Sequence, residues 1–177
     1  MRFQRENLAN LRKKIYQAMK LYHGSNVEVV TPKLFQSARA LDFGQAFYLT
    51  SDFDQASRWA KTSVLRRNEG RAIVSVYEFD ESAASQLRTL NFPGPDATWL
   101  KYVSQNRNGI IDTVDYDIVS GPVANDNTMP VLNLYFKGAY SEDEALRRLL
   151  PQRLRDQFAL KTEAAIACLK FIEGSVV

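Results

Sequence analysis

The sequence predicts a mixed α+β domain, and three observations carry that prediction. Short strand-like runs are separated by helices at irregular spacing, without the regular strand–helix rhythm of a doubly wound sheet. One run, Ala72 to Phe79, alternates cleanly, with Ile73, Ser75 and Tyr77 facing one way and Val74, Val76 and Glu78 the other. Several helices open on side chains suited to capping free backbone N–H groups.

Leu8, Leu11, Ile15 and Met19 recur at helical spacing among Arg5, Arg12, Lys13 and Lys14, which predicts an amphipathic helix over residues 4–19. Its apolar stripe needs a cover, either the following domain or a partner protein. From Leu21 onward the pattern predicts strands at Leu21 to Gly24, Phe47 to Thr50, Ala72 to Phe79, Ile118 to Ser120, Val131 to Phe136 and Gln157 to Lys161. Ser51 with Asp54 reads as a capping box for a helix bearing Ala56, Trp59, Ala60 and Val64. Asp96 caps a helix containing Trp99, Leu100 and Val103. Ser141 with Glu144 opens another that should stop before Pro151, and Thr162 caps a last helix with Ala165, Ile166 and Leu169 inward. Turns are expected at Asn91 to Pro95, Asn106 to Gly109, Gly121-Pro122 and Asn125 to Asn127.

Composition narrows the function classes. The 177 residues are ordinary for a globular domain, and no apolar run approaches the ~18 residues that cross a bilayer. The basic start lacks an apolar signal core, so a cytoplasmic protein with no membrane partner is expected. One cysteine, Cys168, and one histidine, His23, leave no internal disulfide and no zinc set, so no metal is expected. Cys168 reads as a buried thiol rather than a nucleophile. A net charge of +3 permits an anionic ligand without demanding nucleic acid. No G-x-G-x-x-G or Walker loop is present, which leaves a Rossmann or P-loop nucleotide site unsupported.

Three segments carry candidate chemistry: Leu21-Tyr-His-Gly-Ser25, Asp42-Phe-Gly-Gln-Ala-Phe-Tyr-Leu-Thr50 with the helix after it, and Arg155-Asp-Gln-Phe-Ala-Leu-Lys-Thr162. In that order they resemble the ADP-ribosyltransferase superfamily, in the branch of diphtheria toxin and the poly(ADP-ribose) polymerases, whose site follows an H-Y-E pattern. His23, Gly24 and Ser25 match its His-Gly-Ser strand. Phe43, Gly44, Tyr48 and Trp59 match its glycine turn, tyrosine strand and aromatic-bearing helix, and Leu169, Lys170 and Phe171 resemble the end of its terminal helix. At the glutamate position this chain has Gln157. The layout, including Tyr116 to Asp126, is also similar to a family of small uncharacterised bacterial transferase-like toxins, some encoded beside a small antitoxin.

The resemblance implies a split β-sheet core with flanking helices over residues 21–177, and an N-terminal helical extension over residues 1–20. It implies NAD as co-substrate, with His23, Tyr48 and Gln157 catalytic and His23, Gly24, Ser25, Tyr48 and Trp59 binding NAD. His23 would bond an adenosine ribose hydroxyl, Gly24 would offer its backbone to the carboxamide, and Tyr48 and Trp59 would line the cationic nicotinamide ring. The expected activity is mono-ADP-ribosyl transfer to an unidentified acceptor by a bacterial toxin held by an antitoxin or immunity partner. Gln157 lacks the full charge that would stabilise an oxocarbenium-like ribose, so a non-catalytic NAD or ADP-ribose-binding module, or an interaction protein of the same fold, is the alternative. Glu163 and the set Arg58, Lys61, Arg66, Arg67 and Arg71 read as solvated surface, and Asn125 and Asp126 as a turn or a substrate rim.

Overall fold

The computed structural model describes residues 19–34, 41–110, 115–124, 128–150 and 154–177. The helix expected over 4–19 falls outside these residues apart from Met19, which begins a strand instead. The Asn125 to Asn127 turn also lies outside them.

Among the described residues, seven strands form two sheets. In the first, β1 (Met19–Ser25), β3 (Ile73–Phe79) and β7 (Leu169–Val176) are antiparallel in the order β1-β3-β7. In the second the order is β2-β6-β5-β4, from β2 (Phe47–Leu49), β6 (Asp156–Leu160), β5 (Ile118–Pro122) and β4 (Thr89–Asn91), with β4 and β5 parallel and the other pairs antiparallel. The sheets touch through an antiparallel bridge between Tyr22 and Thr50, whose amides and carbonyls pair at 2.8 and 3.0 Å.

Helix α1 (Phe53–Arg67) lies on the first sheet, burying Ala56 against Val74 and Val76. Glycine at position 24 permits this approach: a Cβ there would stand 1.9 Å from the Ala56 carbonyl oxygen and 2.8 Å from the Ala60 nitrogen. Between the elements, α2 (Glu81–Ala84) and α6 (Glu163–Ile166) are single turns, and α3 (Ala97–Arg107), α4 (Met129–Phe136) and α5 (Glu142–Leu149) are longer. The last three bury Trp99, Leu100, Val103, Leu132, Ala145 and Leu149 in one core with Val119 and Ala159 of the second sheet. A second core joins Leu21, Tyr77 and Phe79 to Phe47, Leu49, Ile118 and Leu160, with Ile166 and Cys168 beneath. Because β-strand side chains alternate, β2, β5 and β6 of the second sheet divide their residues between these cores.

Asp96, Ser141 and Thr162 cap their helices as the sequence suggests. Four expectations are corrected. The run Val131 to Phe136 is helical, not a strand, because it has no period-2 pattern and Pro130 sits in the first turn, where its missing N–H costs nothing. The helix opened by Thr162 lasts one turn, and Leu169 to Phe171 belongs to β7, with Leu169 and Phe171 inward and Lys170 exposed. Pairing along β3 overrides the local helical pattern there. Gly121-Pro122 continues β5, and Pro122 lies beyond the end of β4, so its missing N–H disturbs no ladder on that side. Finally, Asp52 caps α1, accepting from the Gln55 amide at 2.8 Å, while Ser51 turns to Asp156.

Candidate functional site

The His23 ring stacks on Phe47, with centroids 4.4 Å apart, and its Nδ1–H donates to the Tyr48 carbonyl at 2.8 Å. That bond fixes the neutral tautomer whose Nε2 carries a lone pair, so His23 is an acceptor at Nε2. Burial penalises the imidazolium and lowers the pKa of the ring, and the bond to the Tyr48 carbonyl opposes that only in part. His23 is therefore a neutral, oriented hydrogen-bonding group.

Tyr48 lies beside His23 in the chain pairing but sends its ring the other way. Phe47 and Leu49 enter the core between the sheets, whereas the Tyr48 ring packs on the core under α3, α4 and α5. Its hydroxyl donates to the Gly44 carbonyl at 2.7 Å and accepts from the Phe43 amide at 3.2 Å. Burial pushes its pKa upward, keeping the phenol protonated as the donor that closes the Gly44 turn, where φ is +80°. The backbones of β1 and β2 meet at the isolated Tyr22–Thr50 bridge, two residues before Gly24 and two after Tyr48. Register pairs Tyr48 with Ala159, so Gln157, two residues earlier on β6, projects to the same face as the Tyr48 ring.

Gln157 is 4% exposed, and its Nε2 lies 3.2 Å from Asp42 Oδ2 and 3.5 Å from the Pro122 carbonyl. Asp42 is itself buried, pairing with Arg107 through the Nε–H at 2.6 Å and accepting from the Ala124 amide at 3.0 Å. On the far side of the start of β6, Asp156 accepts from Thr50 Oγ1 and the Ser51 amide, each at 2.9 Å, and from the Ser51 hydroxyl. The Gln55 side-chain Nε2 donates to the Asp156 carbonyl at 2.8 Å, and Arg155 pairs with Asp52. These bonds staple the N-terminus of α1 to β6. Trp59, half-buried, follows Gln55 by four residues on the same helical stripe.

Tyr48 and Gln157 thus share one face of the second sheet, the Gly24 face of β1 is covered by the backbone of α1, and the His23 ring stacks on Phe47 in the other core while its Nδ1–H reaches the Tyr48 carbonyl. Ser25 stands apart, at the end of β1, its hydroxyl 3.5 Å from Asn26 Oδ1. Glu163 and the side chains of Arg58, Lys61, Arg66, Arg67 and Arg71 are exposed, and Cys168 is buried. Asn125 and Asp126 lie outside the described residues. Among the described residues no cluster of His, Cys, Asp and Glu is arranged to hold a metal ion, and no helix is long and apolar enough to cross a membrane. A shallow cavity of about 260 Å³ lies elsewhere, between Asn91, Phe92, Ser120, Arg155, Asp156 and Phe158. It touches the staple but none of His23, Gly24, Tyr48 or Gln157.

Sequence reasoning missed Asp42, Arg107 and Asp156 as parts of this arrangement. Asp42 and Asp156 stand inside the motif segments, but nothing in their spacing announces that partners 65 and 105 residues away would meet them.

Fold and site together define an α+β domain of two bridged sheets, with a histidine, tyrosine and glutamine on three separate strands. A model of the family described as "Protein of unknown function (DUF3990)" matches residues 19–171, and the chain belongs to that family. No curated protein matches it.

Proposed function

We propose that the protein is a mono-ADP-ribosyltransferase that takes NAD as co-substrate, within an ADP-ribosyltransferase-like split-sheet core, and acts as a bacterial toxin restrained by a small antitoxin or immunity protein. The observation that carries the reading is that Tyr48 and Gln157 share one face, with His23 held neutral and oriented by the Tyr48 carbonyl. In this reading His23 Nε2 accepts from a ribose hydroxyl of the adenosine half, a role that asks for direction rather than charge. The cationic nicotinamide lies beside Gly24, against the faces of Tyr48 and Trp59, which attract it by ~0.5–2 kcal/mol. Loss of the ring's positive charge on departure favours cleavage of the nicotinamide–ribose bond, and Gln157 holds a hydroxyl of the ribose as positive charge develops there.

Release of nicotinamide from NAD by the purified protein tests the proposal. Turnover in the wild type, lost in His23→Ala and Tyr48→Ala, is the expected result; equal background release by all three overturns it.

A second reading, a module that binds NAD or ADP-ribose without turnover, is favoured by the depth of Gln157 and the pairing of its amide nitrogen with Asp42 and Pro122. Calorimetry that detects saturable NAD binding with no nicotinamide release distinguishes it.

A further inference from the structure

The carboxylate that the H-Y-E pattern leads one to expect at position 157 has a physical substitute nearby. Asp42, 5% exposed, collects partners from three elements: Arg107 at the end of α3, Ala124 just after β5, and Gln157 on β6. Its Oδ1 faces the guanidinium and its Oδ2 faces the Ala124 amide and the Gln157 side chain.

Both groups near the Gln157 amide nitrogen, a carboxylate and a carbonyl, only accept hydrogen bonds. The orientation of this amide is therefore dictated by chemistry: the NH₂ group points toward Asp42 and Pro122, and Oε1 is directed away from them. A glutamate at 157 would set a second carboxylate about 3 Å from the first, and two carboxylates so placed cannot both stay ionised. The amide resolves that conflict. It donates to the charged group behind it and presents an oxygen in front, and a hydrogen bond from N–H to a carboxylate increases the negative character of the amide oxygen.

Building on the NAD-cleaving reading, we propose that Asp42 and Gln157 together stand in for one glutamate: Asp42, ion-paired with Arg107, is a positioning residue that orients and polarises the Gln157 amide, and Gln157 carries the hydroxyl-accepting oxygen that meets the nicotinamide ribose. Arg107 fixes the Asp42 carboxylate in place, so the pair is preorganised before substrate arrives.

The test compares wild type, Asp42→Asn, Gln157→Glu and the double variant Asp42→Asn/Gln157→Glu. kcat and KM for nicotinamide release from NAD, and the melting temperature of each protein, are measured together. Each single variant should lose about tenfold or more in kcat with KM changed by less than about threefold, the size expected for removing one preorganised polar group. Gln157→Glu should also melt lower, because it confronts Asp42. In the double variant the charge moves to position 157 and the amide introduced at position 42 becomes the donor. Its kcat should rise at least about fivefold above either single variant, a rescue that a purely structural role for Asp42 does not produce. Its melting temperature should recover at least half of the Gln157→Glu loss. Full activity in Gln157→Glu alone, or a double variant no better than the worse single one, overturns the proposal. A wild type that neither binds nor cleaves NAD overturns the NAD reading. The division of work rests on that reading and falls with it, and recovery of the melting temperature in the double variant then shows only that positions 42 and 157 pair.

Discussion

Replacing Gly24 with alanine perturbs the point where β1 meets α1. The added Cβ would fall 1.9 Å from the Ala56 oxygen, 2.8 Å from the Ala56 carbonyl carbon and 2.8 Å from the Ala60 nitrogen. All three are backbone atoms, so no side-chain rotation relieves the clash. Restoring ordinary contact requires α1 to retreat by about 1.5 Å, which strips close packing from Ala56 against Val74 and Val76, all 3% exposed or less. Overpacking of this kind costs ~1–3 kcal/mol, and the backbone character of the clash places Gly24→Ala at the upper end, about 3 kcal/mol. For a domain of this size each kcal/mol moves the melting temperature by roughly 2–4 °C, so a fall of about 6–12 °C is expected by thermal circular dichroism. Gly94→Ala is the control, since its Cβ meets nothing within 4 Å, and it should melt within about 1 °C of wild type. A Gly24→Ala protein that melts with the wild type would refute the claim that α1 is seated directly on this glycine.

Three further outcomes are expected. Burial lowers the pKa of His23 below its ordinary 6.5, so the unfolded chain takes up this proton before the folded one does. Stability contributed by the neutral ring is therefore level above about pH 6.5 and declines as the pH falls from there toward the folded value. His23→Gln should remove that part of the decline between about pH 6.5 and 5, a window that no other histidine confuses, since the chain has one. Asp52→Ala should cost about 1 kcal/mol, chiefly through loss of the cap on the Gln55 amide, with little added by the partly exposed pair with Arg155; chemical denaturation measures it. Burial pushes the Cys168 thiol upward in pKa, with Asp80 adding to it, so an aromatic disulfide reagent near neutral pH should modify native protein far more slowly than protein in denaturant; equal rates would contradict the buried placement.

Much of the fold was legible where a local rule and the tertiary structure agree. Ile73–Phe79 alternates because its two faces meet different cores, and Asp96, Ser141 and Thr162 cap because a short polar side chain before a helix has few better uses. The start of α1 shows the limit. Ser51 with Asp54 and Asp52 with Gln55 are equally good local pairs, and the choice is made by Asp156, distant in sequence, which engages Ser51. Leu169 to Phe171 became a strand for a similar reason: the edge of β3 needed a partner. Within the candidate site, the His-Gly strand, the tyrosine strand and the position of Gln157 were visible as residue types in order. The opposite facing of the His23 and Tyr48 rings was not, because it depends on which strand each neighbours. Nor was Asp42, whose role arises from Arg107, Ala124 and Gln157 meeting it in space.

The central claim is that Gly24, Tyr48, Trp59 and Gln157 bound a place for the nicotinamide end of NAD, and calorimetric titration of NAD into wild type and Trp59→Leu tests it most directly. The account predicts saturable binding, weakened in Trp59→Leu by roughly two- to thirtyfold as the aromatic face is lost, with the exposed neighbour Arg58→Ala unchanged. Binding that ignores the loss of Trp59, or no binding by the wild type, would contradict it.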